Sequence, residues 1–126
     1  MEKIRSFTGL HAWKQAHKLV LMTYEACKRF PSSEQFGLIN QLQRASVSVS
    51  SNIAEGFGRT SKKEKVRFYE IAQTSLIEMQ NQILVARDVK YLSSDIFKSI
   101  ANQTVSVAKI INGLRNSAMS YSRTRE

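Results

Sequence analysis

The fold is decided by residues 61–91, which read SKKEKVRFYEIAQTSLIEMQNQILVARDVKY. The stretch opens with Ser61 and, three residues later, Glu64, which is the pairing of a capping box at a helix start. The apolar positions that follow recur at steps of three and four, so they share one face of a helix. They are Tyr69, Ala72, Leu76, Met79, Ile83 and Ala86. The stretch therefore predicts a long helix that packs in a bundle or a coiled coil.

Toward the N-terminus, the sequence predicts a first helix over residues 10–30, which ends before Pro31 because proline cannot continue a helix. Residues 19–22 are all apolar, and four consecutive positions cover most of the circumference of a helix. We therefore expect this helix to be buried on two sides. Its predicted core face consists of Trp13, Ala16, Val20, Tyr24 and Cys27.

Two more helices are predicted from caps and apolar spacing. Residues 34–55 form the second, with Ser32 or Ser33 as its N-cap and with Gly56 and Gly58 as its stop. Its predicted apolar face consists of Ile39, Leu42, Val49 and Ile53. The fourth helix follows the cap residues Ser93, Ser94 and Asp95. Its predicted apolar face consists of Ile96, Ile100, Val107, Ile111, Leu114 and Ala118.

Together these segments predict an all-α protein, an antiparallel up-down four-helix bundle. The bundle is expected to span residues 1–119, including an N-terminal loop over residues 1–9. Residues 120–126 are polar and basic, and they are expected to form a flexible tail.

Composition agrees with one small basic domain. The 126 residues carry a formal net charge of +9. Hydrophobic residues make up 42% of the chain, and it has one Pro and five Gly. This composition excludes a disordered chain, a collagen-like chain and an all-β sandwich. One cysteine, Cys27, permits no intramolecular disulfide. The N-terminus lacks the apolar stretch of a signal peptide, and residues 19–22 are far shorter than the roughly 20 residues of a membrane span. We expect a cytoplasmic protein without a membrane span.

Positive charge is concentrated around the start of the third helix, where only Glu64 opposes it. These cations lie at the positive end of the helix dipole, so an anionic partner would relieve the repulsion. Phosphates of RNA or DNA are the expected partner, although a solvated loop would have the same composition. The predicted contacts are Arg59, Lys62, Lys63, Lys65 and Arg67, extended on the first helix by Lys14 and Lys18. Aromatic residues are few in these segments, which favours phosphate contact over base stacking.

A polar line runs along the second helix at steps of three and four, opposite its predicted apolar face. It consists of Gln41, Arg44, Ser48, Asn52 and Glu55. Arg44 and Glu55 lie about 16 Å apart along the axis, too far to pair with each other. We therefore expect Arg59 to pair with Glu55 and Glu78 to pair with Arg44. If Arg44 is paired in this way, Arg44→Ala should destabilise the protein far more than loss of an ordinary surface charge.

The sequence gives little support for a catalytic site or a metal site. No acidic residue has a His three positions later, as a di-iron bundle requires, and His11 and His17 are poorly spaced to share a metal. Cys27 lies on a predicted core face, where a buried thiol is inert. One alternative is a small helical ribonuclease, because Arg5 and His11 have the Arg-x5-His spacing of such enzymes. We expect no cofactor, no metal and no catalytic residue.

The run SVSSNIAEG over residues 48–56, followed by Gly58-Arg59 and Ser61, resembles the signature of the four-helix-bundle family of 23S rRNA intervening-sequence proteins. The resemblance covers about residues 7–92. It includes Trp13 on the first helix, the PheGlyLeu run over residues 36–38, and Tyr91-Leu92 after the third helix. The family usually has Pro where Ser50 stands and Gly where Thr74 stands.

This resemblance implies an accessory protein rather than an enzyme. Relatives form ring-like homopentamers, and a similar bundle in diversity-generating retroelements is a basic subunit that binds nucleic acid and the reverse transcriptase. It also implies a structural role for Asn52, Glu55 and Gly56. We therefore expect a non-enzymatic homo-oligomer, a pentamer by resemblance, that binds RNA or DNA through phosphates. The alternatives are a protein-interaction adaptor that binds no nucleic acid, or the ribonuclease.

Overall fold

The computed structural model describes residues 6–120, and within them four α-helices and two short 3₁₀ turns. Helix α1 spans His11–Cys27, α2 spans Leu38–Gly58, α3 spans Lys62–Asp88 and α4 spans Ser94–Met119. The 3₁₀ turns are Phe7–Gly9 and Ser32–Glu34. The predicted all-α four-helix bundle is confirmed. The predicted tail over residues 121–126 and the first part of the predicted loop, residues 1–5, lie outside the described residues.

Side-chain contacts fix how the helices lie against one another. Between α2 and α3, Gly56 meets Tyr69 and Ser48 meets Ser75, so the two helices run in opposite directions. The same order holds between α3 and α4, where the Gln80 Nε2 lies 3.2 Å from the Thr104 Oγ1 and the Arg115 Nε lies 2.7 Å from a Glu70 carboxylate oxygen. Helix α1 closes the bundle against α2 and α4.

The apolar face predicted for α3 is confirmed, because all of its members are buried. Those of α2 and α4 are buried or half-buried and pack against the same core. The face predicted for α1 is partly wrong. Ala16 and Cys27 are buried as predicted, but Tyr24 is exposed. The buried residues of the helix are mostly small: Ala12, Ala16, Leu19, Thr23, Ala26 and Cys27.

Small side chains explain this rotation of α1. Four of the six buried residues are Ala or Thr, which let α1 approach its neighbours closely, whereas Trp13 and Val20 lie half-buried at the edge of the core. The Thr23 hydroxyl donates to the Leu19 carbonyl, so its burial leaves no polar group unpaired. Leu21 stays 58% exposed, so the second buried side expected for this helix is open in the single chain.

The start of α2 differs from the prediction. Ser32 and Ser33 belong to a 3₁₀ turn, and α2 begins at Leu38, four residues after the predicted start at residue 34. The Glu34 carboxylate accepts a hydrogen bond from the Leu38 backbone N–H at 3.0 Å, so a side chain upstream of the helix caps it. The tyrosyl hydroxyl of Tyr91 donates to the same carboxylate at 3.0 Å, which ties this turn to the end of α3.

Helix α3 ends at Asp88 rather than at Tyr91 because the backbone reverses at Lys90, whose φ is 69°. The Tyr91 N–H donates to the Ala86 carbonyl and the Lys90 N–H to the Arg87 carbonyl, which together form a Schellman motif. Ser93 then caps α4 as predicted, by accepting a hydrogen bond from the Ile96 N–H. Helix α2 is continuous through Ser50, without the proline usual in the family.

None of the helices described over residues 6–120 is long and apolar enough to cross a membrane.

Candidate functional site

The predicted basic cluster lies where α2 ends and α3 begins, joined by residues 59–61. Ser61 caps α3, since its hydroxyl accepts a hydrogen bond from the Glu64 N–H at 3.1 Å, as predicted. Helix α2 does not stop at Gly56 but continues to Gly58. Gly56 is buried, and a Cβ built there would clash with the Tyr69 ring. Glycine at this position therefore allows α2 and α3 to approach each other closely and does not mark a helix stop.

Arg59 is held by neighbouring side chains. Its guanidinium lies 2.9 Å from the Glu55 carboxylate and 3.8 Å from that of Glu64, and it sits 4.8 Å above the centre of the Phe68 ring. The predicted pairing of Arg59 with Glu55 is therefore confirmed. Because both groups are about half exposed, water screens the pair, and its contribution to stability is small.

Lys65 points back onto the end of α2. Its ammonium donates to the carbonyl oxygens of Gly56 at 3.2 Å and Phe57 at 3.1 Å, which belong to the last turn of α2, where carbonyls lack partners within the helix. Partial burial lowers the pKa of the Lys65 ammonium. Lys65 thus caps α2 from the first turn of α3, a role that the sequence analysis did not foresee.

Three cations of the cluster are directed to solvent: Lys62, Lys63 and Arg67 are all exposed, and none forms an ion pair within residues 6–120. The Arg67 guanidinium lies 5.9 Å from the centre of the Phe68 ring, and the Lys65 ammonium lies at the same distance from the Phe57 ring. Aromatic rings therefore accompany the cluster. These contacts are not predictable from the sequence pattern, in which Phe57 lies between the two glycines of a predicted helix stop.

The two lysines predicted on the first helix are also exposed, and α1 begins at the same end of the bundle as the cluster. Phe7 lines a cavity of about 250 Å³ together with Glu55, Gly58 and Arg59. Phe7 packs edge-on against Trp13, and Trp13 stacks on His17 with ring centres 4.7 Å apart. Lys14 and Lys18 occupy exposed positions of this first part of α1.

Part of the polar line of α2 borders α3, while Gln41, Arg44 and Glu55 are exposed. The Ser48 hydroxyl lies 2.7 Å from that of Ser75, and the Asn52 amide donates to the Ser48 carbonyl at 2.8 Å. Gln41 and Arg44 line a polar cleft between the two helices. Glu78 lines the same cleft, but the predicted ion pair between Arg44 and Glu78 is wrong, since residues 6–120 contain no such pair within 4.0 Å.

The residues considered for catalysis are not brought together in the part of the chain that is described. Burial raises the pKa of the Cys27 thiol to about 11, so the nucleophilic thiolate is scarce near neutral pH. His11 is the first residue of α1, while Arg5 lies outside the described residues, so the ribonuclease spacing stays a prediction. No group of three or more His, Cys, Asp or Glu in residues 6–120 is arranged to hold a metal.

Comparison with known proteins finds a family model and several solved structures that match the chain. A family model described as 23S rRNA-intervening sequence protein matches residues 8–113. The chain is also similar to a crystal structure of a protein of unknown function from the S23 ribosomal protein family of Bacteroides thetaiotaomicron VPI-5482, with a TM-score of 0.74 at 16% identity. That alignment covers 82% of this chain and 97% of the other, and it shows a shared fold. No curated protein matches the chain.

Proposed function

We propose that this chain, which belongs to the 23S rRNA-intervening sequence protein family, is a non-enzymatic, self-associating protein that binds RNA or DNA through phosphates. The observation that carries the proposal is the set of three exposed cations at the start of α3, Lys62, Lys63 and Arg67. Their neighbours Arg59 and Lys65 are engaged within the protein, so these three are the ones that a phosphate backbone would meet first.

The physical setting favours an anion at this place. Lys62 and Lys63 occupy the first turn of α3, where backbone N–H groups are left without carbonyl partners and the helix dipole is positive. Repulsion among these cations is relieved when phosphates bind between them. Lys14 and Lys18 enlarge the positive surface from α1, and the net charge of +9 attracts a polyanion over long range.

Self-association is supported by apolar surface that the single chain leaves open. Leu21, Met22, Ala26, Ile96 and Ile100 line a groove of about 440 Å³ between α1 and α4. Leu21 is 58% exposed at this groove. A second copy that covered it would give α1 the second buried side that its four consecutive apolar residues require. A homopentamer, which the family resemblance implies, remains part of this proposal.

The nucleic-acid proposal is tested by equilibrium binding of duplex RNA and DNA over a salt series. Changing Lys62, Lys63 and Arg67 together to Ser removes about three phosphate contacts, so the slope of log K against log salt should fall by about 3 on duplex DNA. Arg59 and Lys65 are left intact because their contacts hold the turn. The matched control changes Lys28, Lys98 and Lys109 to Ser, which removes the same charge elsewhere on the bundle.

Equal loss of affinity in the control would mean that binding follows net charge and not this surface. Absence of binding by the wild type at low salt would instead favour the adaptor, a protein that recognises only other proteins. The ribonuclease alternative is tested in the same samples, because cleavage of RNA by the wild type and its loss in His11→Ala would contradict a non-enzymatic function.

Self-association is measured by sedimentation velocity. Leu21→Asp places a charge in the groove and should shift the protein toward the monomer, whereas Ile77→Asp, an exposed position outside the groove, should leave the assembly unchanged. If Ile77→Asp shifted the protein toward the monomer and Leu21→Asp did not, the contact between copies would lie on the exposed face of α3. A wild type that sediments as a monomer at all concentrations would contradict self-association.

A further inference from the structure

A polar cleft of about 470 Å³ separates the middle of α2 from the middle of α3. It is distinct from the basic cluster and shares no residue with it. Its floor is fixed by the hydroxyl contact between Ser48 and Ser75 at 2.7 Å, which holds the two helices together below the opening. The side chains that reach into the cleft above this floor are polar or charged, which makes it a poor site for an apolar ligand.

The two walls of the cleft have opposite character. On α2, Arg44 presents a guanidinium, and Asn40, one turn earlier, presents a side-chain amide. On α3, Glu78 presents a carboxylate, and Gln82, one turn later, contributes a side-chain amide. The α2 wall therefore carries a positive charge and the α3 wall a negative one.

The groups on these walls lack partners within the described chain. Arg44 and Glu78 border the same opening without pairing, and neither forms an ion pair elsewhere in residues 6–120. The Gln82 Oε1 is buried and accepts no hydrogen bond from any described residue. Because this oxygen is buried, the charged groups of the cleft that a ligand can reach are Arg44 and Glu78, which are both exposed.

We propose that this cleft binds a small zwitterion of the α-amino acid class, with its carboxylate on Arg44 and its ammonium on Glu78. Such a ligand carries both charges that the walls complement. A polyanion fits poorly, because the Glu78 carboxylate would repel its phosphates.

The test is a titration of the full ¹⁵N-labelled chain with glycine, L-serine and L-glutamine in turn, followed by the amide resonances of residues 40–48 and 75–82. Acetate and methylamine, each carrying one of the two charges, serve as half-ligands. We expect at least one zwitterion to shift these amides with an affinity about tenfold above that of either half-ligand.

Single-charge variants assign the two ends of the ligand. Arg44→Gln and Glu78→Gln should each weaken zwitterion binding about tenfold. Glu78→Gln should leave the weak acetate response in place, while Arg44→Gln should abolish it. The matched controls, Lys109→Gln and Glu25→Gln, remove one charge of each sign at exposed positions outside the cleft and should bind as the wild type does.

Three outcomes would overturn the proposal. The first is that none of the three amino acids shifts these amide resonances at millimolar concentration. The second is that the control variants weaken zwitterion binding as much as the cleft variants do, and the third is that the cleft amide resonances broaden when only the protein concentration is raised. The last outcome would mean that a second copy covers the cleft. None of these results depends on nucleic-acid binding, because the residues of the basic cluster are unchanged throughout.

Discussion

The two ends of the bundle are closed by different chemistry. At the end that joins α2 to α3, charged side chains cross the turn, since Lys65 caps the carbonyls of α2 and Arg59 pairs with Glu55 and Glu64. At the opposite end, backbone hydrogen bonds close α3 around Lys90, and Glu34 joins the start of α2 to Tyr91.

This difference divides the cations of the α2–α3 end into two sets. Arg59 and Lys65 contact neighbouring groups of the protein, whereas Lys62, Lys63 and Arg67 are exposed. At the opposite end, hydrogen bonds are satisfied locally, and two of the exposed cations are paired with carboxylates, Lys28 with Glu25 and Arg87 with Asp88. Three substitutions separate the contributions of the two ends.

The largest effect is expected at the α2–α3 end, for Gly56→Ala. The new Cβ would lie 2.4 Å from the Tyr69 ring, which is buried and cannot move away freely. Overpacking of this kind should lower the free energy of unfolding by about 2 kcal/mol, measured by urea denaturation. Gly58→Ala is the matched control, because its Cβ would meet nothing within 4 Å. If the two alanine variants were equally stable, close approach of α2 and α3 would not explain the glycine.

A smaller effect of opposite sign is expected at the other end, for Lys90→Gly. Lys90 adopts a left-handed backbone conformation with a φ of 69°, which costs a residue with a Cβ about 1 kcal/mol more than it costs glycine. Lys90→Gly should therefore raise the melting temperature. Lys90→Ala removes the same charge but keeps the Cβ, so a rise of equal size in that variant would assign the gain to charge instead of backbone conformation.

The smallest effect is expected for Glu34→Ala, and it depends on pH. Hydrogen bonds from the Leu38 N–H and then from the Tyr91 hydroxyl hold the pKa of the Glu34 carboxyl below its usual value of 4.5. A lowered folded-state pKa stabilises the protein above pH 4.5, and this stability is lost as the pH falls through the folded-state pKa.

Thermal melts of wild type and Glu34→Ala should therefore differ at pH 6 and converge as the pH falls below 4.5. Tyr91→Phe, which removes one of the two hydrogen bonds, should show a smaller difference with the same pH dependence. Glu78→Ala serves as the control, since its carboxylate forms no hydrogen bond with residues 6–120. A difference that persists unchanged in acid would contradict a role for the Glu34 charge.

Much of the fold followed from local patterns. The capping box at Ser61 and the spacing of apolar residues in α3 predicted that helix correctly, because both signals act within one helix. The start of α2 was missed because its cap comes from Glu34, outside the helix and beyond a 3₁₀ turn. The inward face of α1 was misplaced because small residues, which carry a weak hydrophobic signal, pack closest to the core.

The position of the candidate site was predicted, but the sequence did not show which of its cations contact other groups of the protein and which are exposed. Charge density identified the segment around residues 59–67, yet Lys65 and Lys63 look alike in sequence. They differ only because the end of α2 offers carbonyl oxygens within reach of Lys65. The pairing of Arg59 with Glu55 was predictable because it spans one turn of helix, whereas the proposed pair of Arg44 and Glu78 depended on the exact placement of two helices.

By itself, the sequence determined that this chain forms four helices, that it carries excess positive charge and that the charge gathers at the start of α3. These properties depend on residue spacing, caps and composition, which act over short distances along the chain. Only the tertiary structure decided which cations contact other groups of the protein and which are exposed. It also decided that Gly56 allows a close contact between helices, and that polar groups of α2 and α3 without partners in residues 6–120 border one cleft. The physical reason is that each of these depends on groups that are distant in sequence and meet only when the helices pack.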